Sequence, residues 1–182
     1  MKLSGVTVIY NPDKTVNNAI ESYLPFLSRL YIVDNSIQNN EKFFEKYKNV
    51  KYIPNMKNLG IATALNIGAE IAYKEKFDWI LTMDQDSIFE NDNLQKLINY
   101  LKKVNLKKVG IVSPWHETKE KKEKSCKKVE RIVEVMTSGN FVNLHAWKDV
   151  GGWKNWLFID CVDIEFCMNL NIHNYDDIMS HV

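Results

Sequence analysis

The chain has 182 residues, 45% of them hydrophobic, and a formal net charge of +1. This length suits one domain spanning 1–182, with a core of useful size. The near-neutral charge gives no basis for a nucleic-acid partner or an acidic membrane surface, and no apolar run reaches the ~18 residues of a spanning helix. Met1-Lys2-Leu3-Ser4-Gly5 leads straight into a strand pattern, unlike a secretory leader. Cys126, Cys161 and Cys167 lack the close pairing of a zinc or redox motif. Both features lead us to expect reduced thiols in a cytoplasmic protein.

Val6-Thr7-Val8-Ile9-Tyr10 reads as the first strand, broken by Asn11-Pro12-Asp13-Lys14. Thr15 can cap a helix whose apolar face is Val16, Ala19, Ile20, Tyr23, Leu24 and Leu27, with Pro25 near its end. A second strand, 30–33, runs into Asp34-Asn35-Ser36. A short helix is expected near 41–47 and a third strand at 50–53. Ile61, Ala64, Leu65, Gly68, Ile71 and Ala72 then mark an amphipathic helix, with Asn58 as a candidate cap.

Trp79-Ile80-Leu81-Thr82-Met83 reads as a strand buried on both faces, and it stops in Asp84-Gln85-Asp86. Open α/β sheets bind ligands outside the carboxyl ends of their strands. Two acids one residue apart at that edge can offer hard oxygen ligands to Mg²⁺ or Mn²⁺. The same tripeptide, followed by Ser87, is also good turn chemistry. Leu94, Leu97, Ile98, Leu101 and Val104 mark a further helix, and 109–112 a further strand. The alternation predicts an α/β fold with a mostly parallel, Rossmann-like sheet flanked by helices. No fixed-period repeat is present.

Residues 116–130 are dense in Lys and Glu, and a mobile charged loop is expected there. The chain returns to the sheet at 132–136, passes Ser138-Gly139-Asn140, and forms a helix near 144–150 before Gly151-Gly152. In Trp153-Lys154-Asn155-Trp156-Leu157-Phe158-Ile159-Asp160-Cys161-Val162-Asp163-Ile164-Glu165, three acids fall amid apolar residues. On one helix Asp160 and Asp163 would share a face. An acid in such surroundings can hold a proton more readily and act as a general base, or it can simply sit at a helix start, where carboxylates are welcome. Trp153, Trp156 and Phe158 suit either a sugar platform or the core.

Taken together, these stretches resemble family 2 glycosyltransferases with the GT-A fold, and within them rhamnosyltransferase-like enzymes. The residues that carry the resemblance are Val8 to Asn11, Val33 to Ser36, Asn58 to Gly68, Asp84-Gln85-Asp86, Ser138-Gly139-Asn140, Gly151-Gly152-Trp153 and 158–167. The resemblance implies transfer of a sugar, with rhamnose a candidate, from a UDP- or dTDP-sugar to a glycan or lipid-linked acceptor. It implies a divalent cation, Mn²⁺ or Mg²⁺, and inversion at the anomeric carbon. It assigns Tyr10, Asn11 and Asp34 to the nucleotide base, and Asn58 to Asn66 to the nucleotide's flank. Asp84 would reach the ribose or the metal, Asp86 the metal. Asp163, with Asp160 as runner-up, would be the base.

Two departures stand out. Asn169-Leu170-Asn171 replaces the Arg that the family places after its last acidic motif. The chain also stops where family members continue toward a His near the donor phosphates, and His181 cannot be given that role. A truncated catalytic domain is therefore expected, with peripheral membrane association through a part beyond this chain. A nucleotidyltransferase is a rival, although no Gly-x-Gly-x-x-Gly or Gly-Lys-Ser/Thr phosphate loop occurs. A non-catalytic sugar-nucleotide-binding fragment is the other.

Overall fold

The strand-like stretches assemble into an eight-stranded sheet in the computed structural model, which describes residues 1–90, 92–103, 107–114, 129–132 and 134–180. In chain order the elements are β1 (Leu3–Ile9), α1 (Val16–Tyr23), β2 (Arg29–Asp34), β3 (Val50–Pro54), α2 (Ile61–Lys74), β4 (Trp79–Asp84), α3 (Asn93–Lys103), β5 (Val109–Pro114), β6 (Val129–Ile132), β7 (Asn140–Asn143), α4 (Leu144–Asp149), α5 (Val162–Ile172) and β8 (Asp176–Ser180). The strand order is β3-β2-β1-β4-β7-β5-β8-β6. β1 pairs in parallel with β2 and β4, as do β2 with β3 and β5 with β8. β7 runs antiparallel between β4 and β5, and β6 antiparallel to β8.

The parallel half is the one the alternation predicted. The insertion of β7 is new, and local bonds explain it. Gly139 N–H donates to Thr82 O at 2.7 Å, and Asp84 N–H donates to Ser138 Oγ at 3.1 Å. These bonds lay the start of β7 against the carboxyl end of β4. Helices cover both faces. Ile20, Tyr23, Leu94 and Leu97 pack on one side of the sheet, and Leu65, Trp147, Phe166 and Leu170 on the other. Each helix buries the stripe that its 3.6-residue period placed there.

Several local expectations need correction. Thr15 stands at the N-cap of α1 as expected, but its side chain makes no capping bond, because its hydroxyl donates to Asp13 Oδ1. The 41–47 segment makes only one 3₁₀ turn, Glu41–Phe43, after which Phe44 stacks on Tyr52 with ring centroids 5.7 Å apart. The return to the sheet is at Val129–Ile132 rather than 132–136, so the charged loop ends before 130. Its residues 116–128, with Cys126, lie outside the described residues, as do Val104 and His181.

β8 carries an unusual burden. Asp177 is 1% exposed, its Oδ1 has no partner, and Oδ2 accepts a 3.3 Å bond from Asn171 Nδ2. Burial pushes its carboxyl up to about 7, against smaller opposing effects of the Cys167 thiol and the Asn171 amide. Burial likewise pushes the Cys167 thiol up to about 12, with Asp177 adding to it. A carboxyl whose folded value exceeds its unfolded value contributes stability at low pH that is lost as pH rises through the folded value. Raising the pH from about 5 to about 8 should therefore lower the thermal midpoint. Asp177→Asn should flatten that slope and stabilise the protein at the alkaline end. Scanning calorimetry of both proteins across the range checks it.

Candidate active site

β4 is buried through Met83 and opens to solvent at Asp84, so the strand itself delivers a carboxylate to the sheet's carboxyl edge. Ser87 N–H reaches back to Asp84 O at 3.4 Å, so Asp84-Gln85-Asp86 is also a turn, and both readings of the tripeptide hold together. Asp86 is exposed at its tip. The Asp84 carboxyl is pushed up, first by desolvation at the base of the cleft, then by Asp86 and Asp163. The cleft beside it, about 510 Å³, is lined by Asp84, Ser87, Phe89, Pro114 and Ser138 among others. Gln85 was overlooked in the sequence. Its Oε1 accepts Tyr10 N–H at 2.9 Å and ties the end of β1 to the end of β4.

On the other side lies the expected base site. Tyr10 is exposed and Asn11 has φ of 46°. Asn11 N–H donates to Ser36 Oγ at 2.7 Å. Asn11, Pro12, Ile37, Gln38 and Asn40 line a hollow of about 450 Å³. Asp34 is not on its surface. It is 0% exposed and accepts from Ser36 N–H (2.7 Å), Asn40 Nδ2 (2.9 Å) and the Tyr52 hydroxyl (2.6 Å). In this arrangement Asp34 shapes the wall of the hollow from behind.

Two further expectations shift. Asn58 is exposed and accepts from Gly60 N–H at 3.0 Å, so it braces the turn ahead of α2 without capping the helix. The cap is Gly60, with φ of 80°, and Ile61 N–H donates to Phe158 O at 2.7 Å. A Cβ on Gly60 would lie 2.6 Å from that carbonyl. The Asn66 amide is engaged within the protein. Its Oδ1 accepts from Trp147 Nε1 (3.0 Å) and Trp153 N–H (3.1 Å), and its Nδ2 donates to Trp153 O (2.7 Å) and Asn155 Oδ1 (2.8 Å). All four hydrogen-bonding positions of the amide are occupied.

The acidic stretch is also rearranged. α5 begins at Val162, after Cys161 in a left-handed conformation with φ of 61°. Asp160 is therefore outside the helix and exposed, and it shares no helical face with Asp163. Asp163 lies half-buried in the first turn, with Oδ1 accepting from Ile164 N–H at 2.9 Å. The aromatic residues divide. Trp153 is buried with its ring centroid 4.6 Å from that of Phe166, while Trp156 is 76% exposed and Phe158 54%. Glu165, which the sequence gave no role, has a buried Oε2 without a partner.

Asp84, Asp86 and Asp163 have no ion-pair partner among the described residues. Among those residues no group of three or more His, Cys, Asp or Glu could hold a metal ion unaided. Two strand-end carboxylates fit a cation that keeps waters and takes its remaining ligands from substrate phosphates.

Residues 4–159 match the family described as Glycosyl transferase family 2. The chain belongs to that family. This family 2 chain is 28% identical to the dTDP-rhamnosyl transferase RfbF of Shigella flexneri, over 90% of its own length and 61% of the relative's. It thus spans about three fifths of that curated relative. Its fold is similar to GalNAc-T7, solved with UDP, GalNAc and Mn²⁺, with TM-score 0.76, 15% identity, and coverage of 98% of this chain and 42% of that one. It is also similar to the mannosyltransferase PcManGT of Pyrobaculum calidifontis, solved with GDP-Man and Mn²⁺ (TM-score 0.72, 13% identity, 100% and 54% coverage). The fold is therefore GT-A. No helix among the described residues is long and apolar enough to cross a membrane.

The Asn66 clamp yields a prediction. Gly152 has φ of 70°, and a Cβ there would lie 2.6 Å from Asn66 Oδ1 and 2.8 Å from Trp147 Nε1. Gly152→Ala should cost about 2–4 kcal/mol, from left-handed strain plus overpacking. Urea unfolding with an unchanged m-value measures it.

Proposed function

We propose that this chain is the donor-binding and catalytic part of a glycosyltransferase that moves a sugar from a nucleoside diphosphate to an acceptor hydroxyl, with inversion. The observation that carries the reading is that Asp86 and Asp163 lie close enough to raise the Asp84 carboxyl while none of the three has an ion-pair partner among the described residues. The likeness to RfbF makes a dTDP-sugar, with rhamnose as the sugar, the first donor to test and a UDP-sugar the second. The acceptor is a glycan or a lipid-linked saccharide, met in the cytoplasm or at the inner face of the membrane.

The roles follow from position. The hollow at Asn11 and Gln38 takes the base, with Tyr10 at its rim and Asp34 holding the wall. Asp86 would hold a divalent cation, with Asp84 supporting it or the ribose. When bound, that cation supplies charge neutralisation on the departing diphosphate. Asp163 takes the proton of the acceptor hydroxyl. The acceptor oxygen forms its bond to the anomeric carbon from the far face. The bond from that carbon to the β-phosphate oxygen breaks, and its electron pair leaves with the nucleoside diphosphate.

Asp86→Ala should abolish Mn²⁺-dependent binding of dTDP and UDP in calorimetry while leaving the ligand-free thermal midpoint unchanged. Unchanged metal-dependent affinity would sink the metal assignment. Asp163→Asn should keep donor affinity and lose about 10²–10⁴-fold in transfer, the usual worth of a general base. Transfer kept by Asp163→Asn and lost by Asp160→Asn would move the base upstream. Donor binding with neither transfer nor hydrolysis in the unaltered chain would favour the binding-fragment reading.

A further inference from the structure

Ser138-Gly139-Asn140 has no part in the chemistry above, yet it starts β7 beside the end of β4. Asn140 is 2% exposed. Its Nδ2 donates to Met136 O, which fixes the orientation of the amide. Its Oδ1 is buried and has no partner. An acceptor left that way costs about 1–3 kcal/mol, so its position calls for a reason.

The reason lies in a recess of about 10 Å³ that Asn140 and Asp163 line together, with Thr137, Val135 and Phe166 among its other walls. That is close to the ~10–15 Å³ that one water needs. Asn140 Oδ1 and the Asp163 carboxylate are both acceptors and cannot bond to each other. A water has two hydrogens and can donate to both. The Thr82 hydroxyl already donates to Thr137 O at 2.5 Å. Thr137 carries a hydroxyl able to donate to the water oxygen, which would give the water three partners, the usual number.

We propose that Asn140 is a positioning residue for transfer: through one buried water it holds the carboxylate of Asp163 in the orientation that receives the acceptor's proton. This rests on Asp163 being the base. Asp163 Oδ1 is already engaged by Ile164 N–H, so a second bond to its carboxylate would lock the torsion that sets its aim.

The test uses two unrelated variants of the full chain. Asn140→Leu removes the acceptor at similar volume. Val135→Ile adds one methyl to the recess and removes no polar group. Each should lower kcat for transfer about tenfold, the worth of one well-placed hydrogen bond, with donor KM and Mn²⁺-dependent nucleotide affinity held within about twofold. In an Asp163→Asn background Val135→Ile should cost nothing further, because coupled residues are not additive. A full additional loss in the double variant, or an unchanged kcat in Val135→Ile, overturns the proposal while leaving Asp163 as the base. Transfer retained by Asp163→Asn alone overturns both. If Asn140→Leu does not fold, a high-resolution crystal structure decides beside Val135→Ile. A water bonded to Asn140 Oδ1 and Asp163 supports the proposal, and a dry recess ends it.

Discussion

Asn66 projects from the second turn of α2 and holds the Gly152–Asn155 turn by both ends of its amide. It also holds α4 through Trp147 Nε1. The segment that leaves this clamp runs back along α2 until Phe158 O meets Ile61 N–H, and only then releases Asp160 to Asp163. The segment that carries Asp160 and Asp163 is thus hung from α2. Breaking the clamp would leave partly buried donors and acceptors without partners, at about 1–3 kcal/mol each. It would also free the loop that aims Asp163. Gly152 is the steric counterpart, because nothing larger fits between Asn66 and Trp147.

The placement of charge tells the same story from the other direction. Several of the described cations are paired elsewhere. Lys46 pairs with Glu21, Lys51 with Glu75, Lys148 with Glu70, and Arg131 with Asp176, all at the surface. Exposed pairs of this kind are worth about 0–1 kcal/mol each. Asp84, Asp86 and Asp163, which would profit more from a cation, are near one another and unpaired. Asp84 is raised by the other two as well as by desolvation. A fold that concentrates like charge at a strand edge leaves a place for a positive group from outside.

Much of this was legible in the chain itself, for physical reasons that also mark where reading stopped. Strands buried on both faces leave continuous apolar runs, so β1, β2 and β4, and the acids that end β2 and β4, were plain. Helices with one buried face leave a 3.6-residue period, so α2 and α3 were plain too. The hidden parts depend on contacts between distant residues. The resemblance assigned Asp34 to the base, and in the fold Asn40 and Tyr52 close over its carboxylate. The resemblance assigned Asn66 to the nucleotide's flank, and in the fold Trp153 and Trp147 take its amide. The break between Asp160 and Asp163 comes from Cys161 in a left-handed conformation, for which a cysteine gives no signal.

β7 was the least visible element and it joins the most parts of the site. It is only Asn140–Asn143, too short for a clear period, and it lies far in sequence from both neighbours in the sheet. Because it runs against β4, its first residues meet the last residues of that strand. Ser138 therefore receives the N–H of Asp84, and Asn140 reaches the recess behind Asp163. A parallel strand in that slot would have brought its last residues to this edge instead, and the Ser-Gly-Asn turn would lie at the opposite end of the sheet. The antiparallel insertion is thus what allows one short turn to touch the strand that carries the candidate metal ligand and the helix that carries the candidate base.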